Sequence, residues 1–399
     1  MILVLLSPVV LFFLCLILRS RSRRASVGDK IKRNRDIANF SIFGANSLQD
    51  RLRLRAGPNA RLVAAFGIHN SFTTTDEAQH GEFLRRAVHA IKSADADAWS
   101  RVREQADETM DALSSRSFGP GGLRGVKVER TARVLCLGAV LELLFAEERV
   151  RPFDVDHADR ATKLINLLWQ ESKKGSRGLG SAHQGKALDS LRDALRRLVR
   201  REEGEALALI MPAYETLWRV VVLTYVHVGF RHIDTATRDS VREVVEIVSG
   251  DAGQGAQLHP TVDRFALEAL RLYPPTKRIY RVSAVLEAAA DVESLHHDER
   301  IWGPDALEFR PGRFATLTQD QMNAYMPFGA DKNVCPAING FGRRMIASLV
   351  VALIKRLGTR GDGARIRFGD NKLDTDMGAP LPTGRSDMSE WVISRDRTG

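Results

Sequence analysis

The chain has 399 residues, 44% of them hydrophobic and 27% charged, the balance of an ordinary folded protein, which excludes disordered and fibrous classes. Three widely spaced cysteines (Cys15, Cys136, Cys335) without a CxxC pair exclude a disulfide framework and structural zinc, and point to a reducing compartment. The net charge of +10 is spread along the chain with no zinc-finger spacing or aromatic RNA-binding signature, so it reads as a solvated basic surface and not as a nucleic-acid interface.

Residues 1–18 read MILVLLSPVVLFFLCLIL, with only Ser7 polar, and Arg19, Arg21, Arg23 and Arg24 come at once after them. That is just long enough for a transmembrane helix, and arginines on its C-terminal side place the rest of the chain in the cytosol. Pro8 is tolerated in a span, and Cys15 reads as packing. A removed signal peptide would carry its charge before the apolar run. The expected organisation is an anchor over 1–18, a basic linker over 19–40 and one domain over 41–399.

Within that domain, helical periodicity predicts helices near 126–148, 187–201, 205–230 and 239–248. Leu135, Leu137, Val140, Leu141 and Leu144 mark the first as buried. Glycine-rich stretches at 119–125 and 175–185 read as surface loops, and 277–282 as a late strand. The fold class is therefore mainly α with a minor β part.

Three motifs carry chemistry. Residues 327–337 read PFGADKNVCPA, a cysteine in a tight loop ahead of an apolar helix over 345–353. Backbone N–H groups at a helix start stabilise a thiolate, the form that binds iron. Residues 265–281 read FALEALRLYPPTKRIYR, with Glu268 and Arg271 three apart on one helix face and Pro274-Pro275 closing the helix. Inside the apolar 205–230 stretch, Glu215 and Thr216 set a carboxylate beside a hydroxyl, the pair a proton relay needs. Pro212 removes one helical hydrogen bond just before them, an opening through which water can join that relay.

These motifs, in this order, resemble the cytochrome P-450 family of haem-thiolate monooxygenases, and their wording is similar to fungal membrane-anchored members of specialised metabolism. Phe328, Gly329, Asp331, Cys335 and Ala337 match the haem-binding loop, which makes Cys335 the expected axial ligand of the iron of haem b. Phe328, Gly329, Lys332, Cys335 and Ala337 are the expected cofactor contacts. Glu268 and Arg271 match the family's ExxR helix. Arg313 in FRPGRF (309–314) matches the third member of its buried ion cluster, and LHHDERIWGPDALEF from 295 resembles the segment between them. Glu215 and Thr216 match the acid–threonine pair. The departures are Asn333 where a basic residue usually meets a haem propionate, Gly312 where Glu is usual, and Ala213 and Leu217 beside the pair. His80 in HGEFLRR, or alternatively Trp99 with Arg103, stands where the family holds the propionates.

The resemblance implies insertion of one oxygen atom from O2 into a lipophilic substrate. Electrons would come from NADPH through a cytochrome P-450 reductase of the endoplasmic reticulum membrane, docking near Lys332, Arg343 and Arg344; no GxGxxG fingerprint offers a nicotinamide site in the chain itself. The segment before Glu215 is short against relatives, which leaves two other readings beside the first. One is a truncated, non-catalytic relic; the other is a haem-thiolate isomerase or dehydratase, against which Glu215 and Thr216 speak.

Overall fold

The computed structural model describes residues 26–396 apart from 116, 117, 120, 121, 176, 177, 179 and 251–256. The expected anchor over 1–18 lies outside the described residues. In chain order the elements are α1 (Val27–Ala38), α2 (Leu48–Phe66), α3 (Glu77–Lys92), α4 (Ala96–Ser114), β1 (Phe118–Gly119), β2 (Gly122–Lys127), α5 (Val128–Leu144), α6 (Val155–Glu171) and α7 (Ser181–Arg196). Then come α8 (Glu203–Glu215), α9 (Trp218–Phe230), α10 (Thr235–Ser249), α11 (Pro260–Leu272), β3 (Arg278–Val282) and β4 (Glu287–Asp291). The chain continues with α12 (Val292–His296), α13 (Glu299–Trp302), α14 (Gln319–Ala324), α15 (Phe341–Leu357), β5 (Ala364–Arg367), α16 (Asn371–Thr375) and β6 (Val392–Asp396).

The mainly helical expectation holds, with three corrections. The glycine-rich 119–125 stretch is not a loop: β2 pairs with β6 (Val126 opposite Ile393), and the sheet order is β1-β2-β6-β5, all antiparallel. The 19–40 stretch is not all linker either. Ser26 and Asp29 form a capping box that starts α1, which buries Ile31, Ile37 and Ala38. The 175–185 loop ends early, since α7 already begins at Ser181.

The core divides in two. The larger part is built on α5, α8, α9, α11 and α15, with α5 buried from Val128 and Thr131 through Glu142. The smaller part packs Ile31 and Ile37 of α1 against Ala290, Leu295, Trp302 and Met326. Among the described residues, the 203–230 stretch alone is long and apolar enough to cross a membrane, and 72% of its apolar window is buried inside this core. It is interrupted where Pro212 predicts. Lacking an N–H, Pro212 leaves the Ala208 carbonyl free, and the buried Asn70 amide donates to it at 3.0 Å. The Thr216 hydroxyl then takes the Pro212 carbonyl at 2.8 Å, and the helix restarts at Trp218.

Glu268, Arg271 and Arg313 meet in the interior. Glu268 and Arg271, both fully buried, are bidentate at 2.7 and 2.9 Å, and Arg313 Nε reaches Glu268 at 3.0 Å. Arg271 spends its other N–H groups on the carbonyls of His296 (2.7 Å), Ala306 (2.6 Å) and Glu308 (3.2 Å). The Arg310 N–H adds to Glu268 at 2.8 Å. His296 extends the network: one ring nitrogen faces the Arg271 carbonyl and the other accepts from the Met326 N–H at 3.1 Å. Burial and the nearby Arg271 push His296 down to about 3, and burial does the same to His227, which bonds the Tyr273 hydroxyl.

Glu268→Ala leaves two guanidinium groups facing a buried gap, so unfolding free energy should fall by roughly 3–5 kcal/mol. Urea denaturation of both proteins measures it, and an unchanged midpoint would refute the structural role. His296 and His227 stay neutral when folded and take up protons when unfolded. Their contribution is therefore complete above about pH 6.5 and is lost as pH falls from there towards 3, by about 1.4 kcal/mol per unit for each. Urea midpoints between pH 7 and pH 4 should show the decline, and it should be shallower in His296→Gln.

Candidate active site

The loop from Pro327 to Cys335 is closed by the Cys335 N–H, which donates to the Phe328 carbonyl at 2.9 Å. Gly329 makes this possible: its φ is +89°, and a Cβ there would stand 2.7 Å from the Asn333 carbonyl oxygen. Phe328 packs on the main core and meets the α15 backbone at Gly342. Asp331 fastens the loop outward, accepting from Asn39 at 2.9 Å and pairing with Arg35 of α1. Cys335 is exposed. Burial on the remaining sides pushes its thiol up, while the Ala337 N–H pulls it back. The backbone of Lys332 lies in a 3-10 turn (Asp331–Asn333), and its side chain is outside the described atoms.

On α8 and α9, Thr216 is the one exposed residue between 206 and 230. Its hydroxyl is accessible within an otherwise buried stretch of the chain. Glu215, next to it, is buried and ion-paired with Arg385 from the C-terminal segment. The α9 helix packs on α15, which comes after the cysteine loop, so both halves of the site belong to one packed unit.

Two rival positions were open for carboxylate binding at the haem edge. Trp99 spends its ring N–H on the Ala94 carbonyl at 3.1 Å and stacks against Phe341 and Arg344, which makes it a packing residue of α4. His80 lies on α3, which packs against the Pro336–Ile338 turn just after Cys335. Its Nδ1 faces Ser71 at 2.8 Å and Arg55 at 3.2 Å.

Arg55 leads to residues that sequence reasoning missed. It and Arg281 are largely enclosed, and neither has a carboxylate partner among the described residues. Burial, with Arg51 adding repulsion, lowers Arg55 to about 10; burial and Arg55 lower Arg281 to about 9. The Nε atoms of both are buried without a partner, and Arg281 lies 4.1 Å from the Phe40 ring centre. Buried cations of this kind require an anion. Asn333 contributes a further unpartnered amide donor. The available signal for Arg281 was its place on a strand directly after the Pro274-Pro275 stop. Haem fits these residues: one thiol for the iron, and two acid-free arginines beside His80 for its carboxylates. Arg343, expected to meet a reductase, is instead paired with Asp263 at 2.7 Å.

The cytochrome P450 family model matches residues 289–357, from β4 to the end of α15. The cytokinin hydroxylase of Arabidopsis thaliana is 26% identical over 276 residues, covering 62% of this chain and 53% of that protein. Cytochrome P450 71A18 of the same plant is 36% identical over 88 residues, 18% of each chain. The chain thus spans about half the length of the first of these relatives, and less of the second. Cytochrome P450 OleT, solved with arachidonic acid, superposes with a TM-score of 0.53 at 14% identity over 94% of this chain and 98% of its own. A cytochrome P450 from Thermus thermophilus gives 0.53 at 17% identity over 86% and 87%. At such identities the structures speak for the fold, and the family match speaks for the segment that bears the thiol loop. Residues 289–357 thus match the cytochrome P450 family, whose cofactor is a thiolate-ligated haem, and the fold of the chain is similar to that of solved cytochromes P450.

Proposed function

We propose that the protein is a haem-thiolate monooxygenase that inserts one oxygen atom from O2 into a small organic substrate, drawing electrons from NADPH through a separate reductase. The observation that carries this reading is the exposed Cys335 thiol, in a loop that turns at the positive φ of Gly329, with Arg55 and Arg281 enclosed and without an acid partner among the described residues. The bound haem would supply the activation of oxygen. The chain would supply the rest. Cys335 would be the axial thiolate, Arg55 and Arg281 would hold the carboxylates, and Phe328 and Ala337 would line the thiolate side. Thr216, whose hydroxyl is accessible, would hand on a proton by exchanging the Pro212 carbonyl for a ligand or water. Glu215 would stand behind it as the acid of the relay.

The hydroxylase among the relatives supports the reaction class. The remaining proposals are cellular: the apolar 1–18 segment anchors the chain in the endoplasmic reticulum membrane with the domain in the cytosol, and the redox partner is the NADPH–cytochrome P450 reductase of that membrane. Gly312 does not weaken the oxygenase reading, because the space beside it is open and the ion cluster closes without a side chain there.

A reduced carbon-monoxide difference spectrum should show the strongly red-shifted Soret band of a thiolate-bound haem, and Cys335→Ser should lose it. Survival of the band in that variant would sink the ligand assignment. Arg55→Leu and Arg281→Leu should each weaken haem retention by roughly ten- to a hundredfold, the worth of one hydrogen bond to a charged group. Haem transfer to apomyoglobin measures this. Thr216→Ala should keep the spectrum but divert reducing equivalents to hydrogen peroxide; unchanged coupling of NADPH oxidation to product would remove its proton role.

A further inference from the structure

Arg61 of α2 and Arg385 of the C-terminal segment lie on the ring of Trp169, at 4.6 and 4.4 Å from its centre. Arg61 also donates to the Ser172 hydroxyl at 2.6 Å, and Arg385 to the Asn166 side chain at 3.3 Å. Arg219 lies one turn beyond Glu215 and donates to the Pro275 carbonyl at 3.1 Å and the Thr383 carbonyl at 3.4 Å. Three guanidinium groups thus converge on a single carboxylate, Glu215, which Arg385 already holds. The nearest further acid, Glu293, is neutralised by Lys277 at 2.9 Å. Lys173 adds a fourth cation at the rim.

Another group in this chain has the same ratio and needs no ligand. Arg101, Arg149 and Arg151 share Glu142, but the side chains of Arg101 and Arg151 are 43% and 54% exposed, so water solvates the excess. Around Glu215 that outlet is closed to Arg385, whose side chain is 9% exposed. Two donors of the cluster, Arg219 Nε and Trp169 Nε1, are buried without a hydrogen-bond partner, as are both carboxylate oxygens of Glu215. Burial, with Arg385 as the next cause, pushes both Arg61 and Arg219 down, the latter to about 10. Excess positive charge held away from water with unfilled donors is an anion site awaiting its anion.

We infer that Arg61, Arg219 and Arg385, with the Trp169 N–H, form a binding site for the anionic head of the substrate, a carboxylate being the fitting class. Glu215 and Arg219 stand one before and three after Thr216, the one exposed residue of this stretch. A head bound at the arginines leaves the uncharged remainder of the molecule beside that hydroxyl. This inference rests on the oxygenase reading for the chemistry after binding, but not for the binding itself.

The test uses full-length holoprotein and three probes that share one tail: 4-phenylbutanoate, 4-phenylbutan-1-ol and 4-phenylbutylamine. Calorimetric titration should show the carboxylate binding at least tenfold more tightly than the alcohol, with the amine weakest. Arg219→Met and Arg61→Met should each remove most of that preference. Equal affinity for acid and alcohol, no binding of the acid, or a preference intact in both variants would overturn the site. The wild-type comparison decides alone if a variant does not fold. The carbon-monoxide spectrum of the same preparation separates the two claims. A missing thiolate band with the carboxylate preference intact sinks the oxygenase reading and leaves the anion site standing. The band present without a preference does the reverse.

Discussion

Glu268 is a carboxylate with no contact to water, and it holds its place because each of its oxygens is used. One takes Arg271; the other takes Arg271, Arg313 and the Arg310 backbone N–H. Desolvating such a group costs several kcal/mol, and only close, complete pairing offsets it. The geometry is therefore all-or-none. Once formed, it fixes where residues 296–313 cross α11, since Arg271 and Arg313 hold their carbonyls. His296 passes that constraint on to Met326, the residue immediately before the loop that presents Cys335. The thiol has its position because a buried ion cluster has only one way to close.

Charge has a different meaning in different parts of this chain. From composition, the excess of basic residues reads as surface. In the fold, some of it is interior, and in two distinct settings. Arg55 and Arg281 have no acid partner among the described residues. Arg61, Arg219 and Arg385 share one acid, Glu215, at the break in the long helix.

The features legible in the sequence came from local spacing. Glu268 and Arg271 share a helix face, Pro274-Pro275 ends that helix, and Pro212 interrupts the long apolar stretch, each readable from a few neighbouring residues. The features that were not legible depended on distant pairing. Nothing local reveals that Asn70 serves the carbonyl freed by Pro212, 138 residues away from it. The 119–125 glycines hid a strand because its partner β6 is the last strand of the chain. Arg55 and Arg281 could not be told from the other basic residues, since burial is decided by the elements that pack over them. The α1 helix differs: its Ser26–Asp29 capping box and the Ile31 and Ile37 spacing are local signals, and the surrounding basic charge masks them.

The clamp of α1 on the thiol loop has a consequence for how the protein is made. Arg35 pairs with Asp331, 296 residues further on, and the apolar face of α1 packs against residues between 279 and 330. During synthesis α1 emerges 296 residues ahead of Asp331, and its buried face has no partner until residues 279–330 have left the ribosome. The smaller core, and with it the cysteine loop, is therefore completed only after that long separation has been translated. For most of that time Ile31 and Ile37 need shelter from water, and a chaperone or a nearby lipid surface is the shelter a nascent chain meets first.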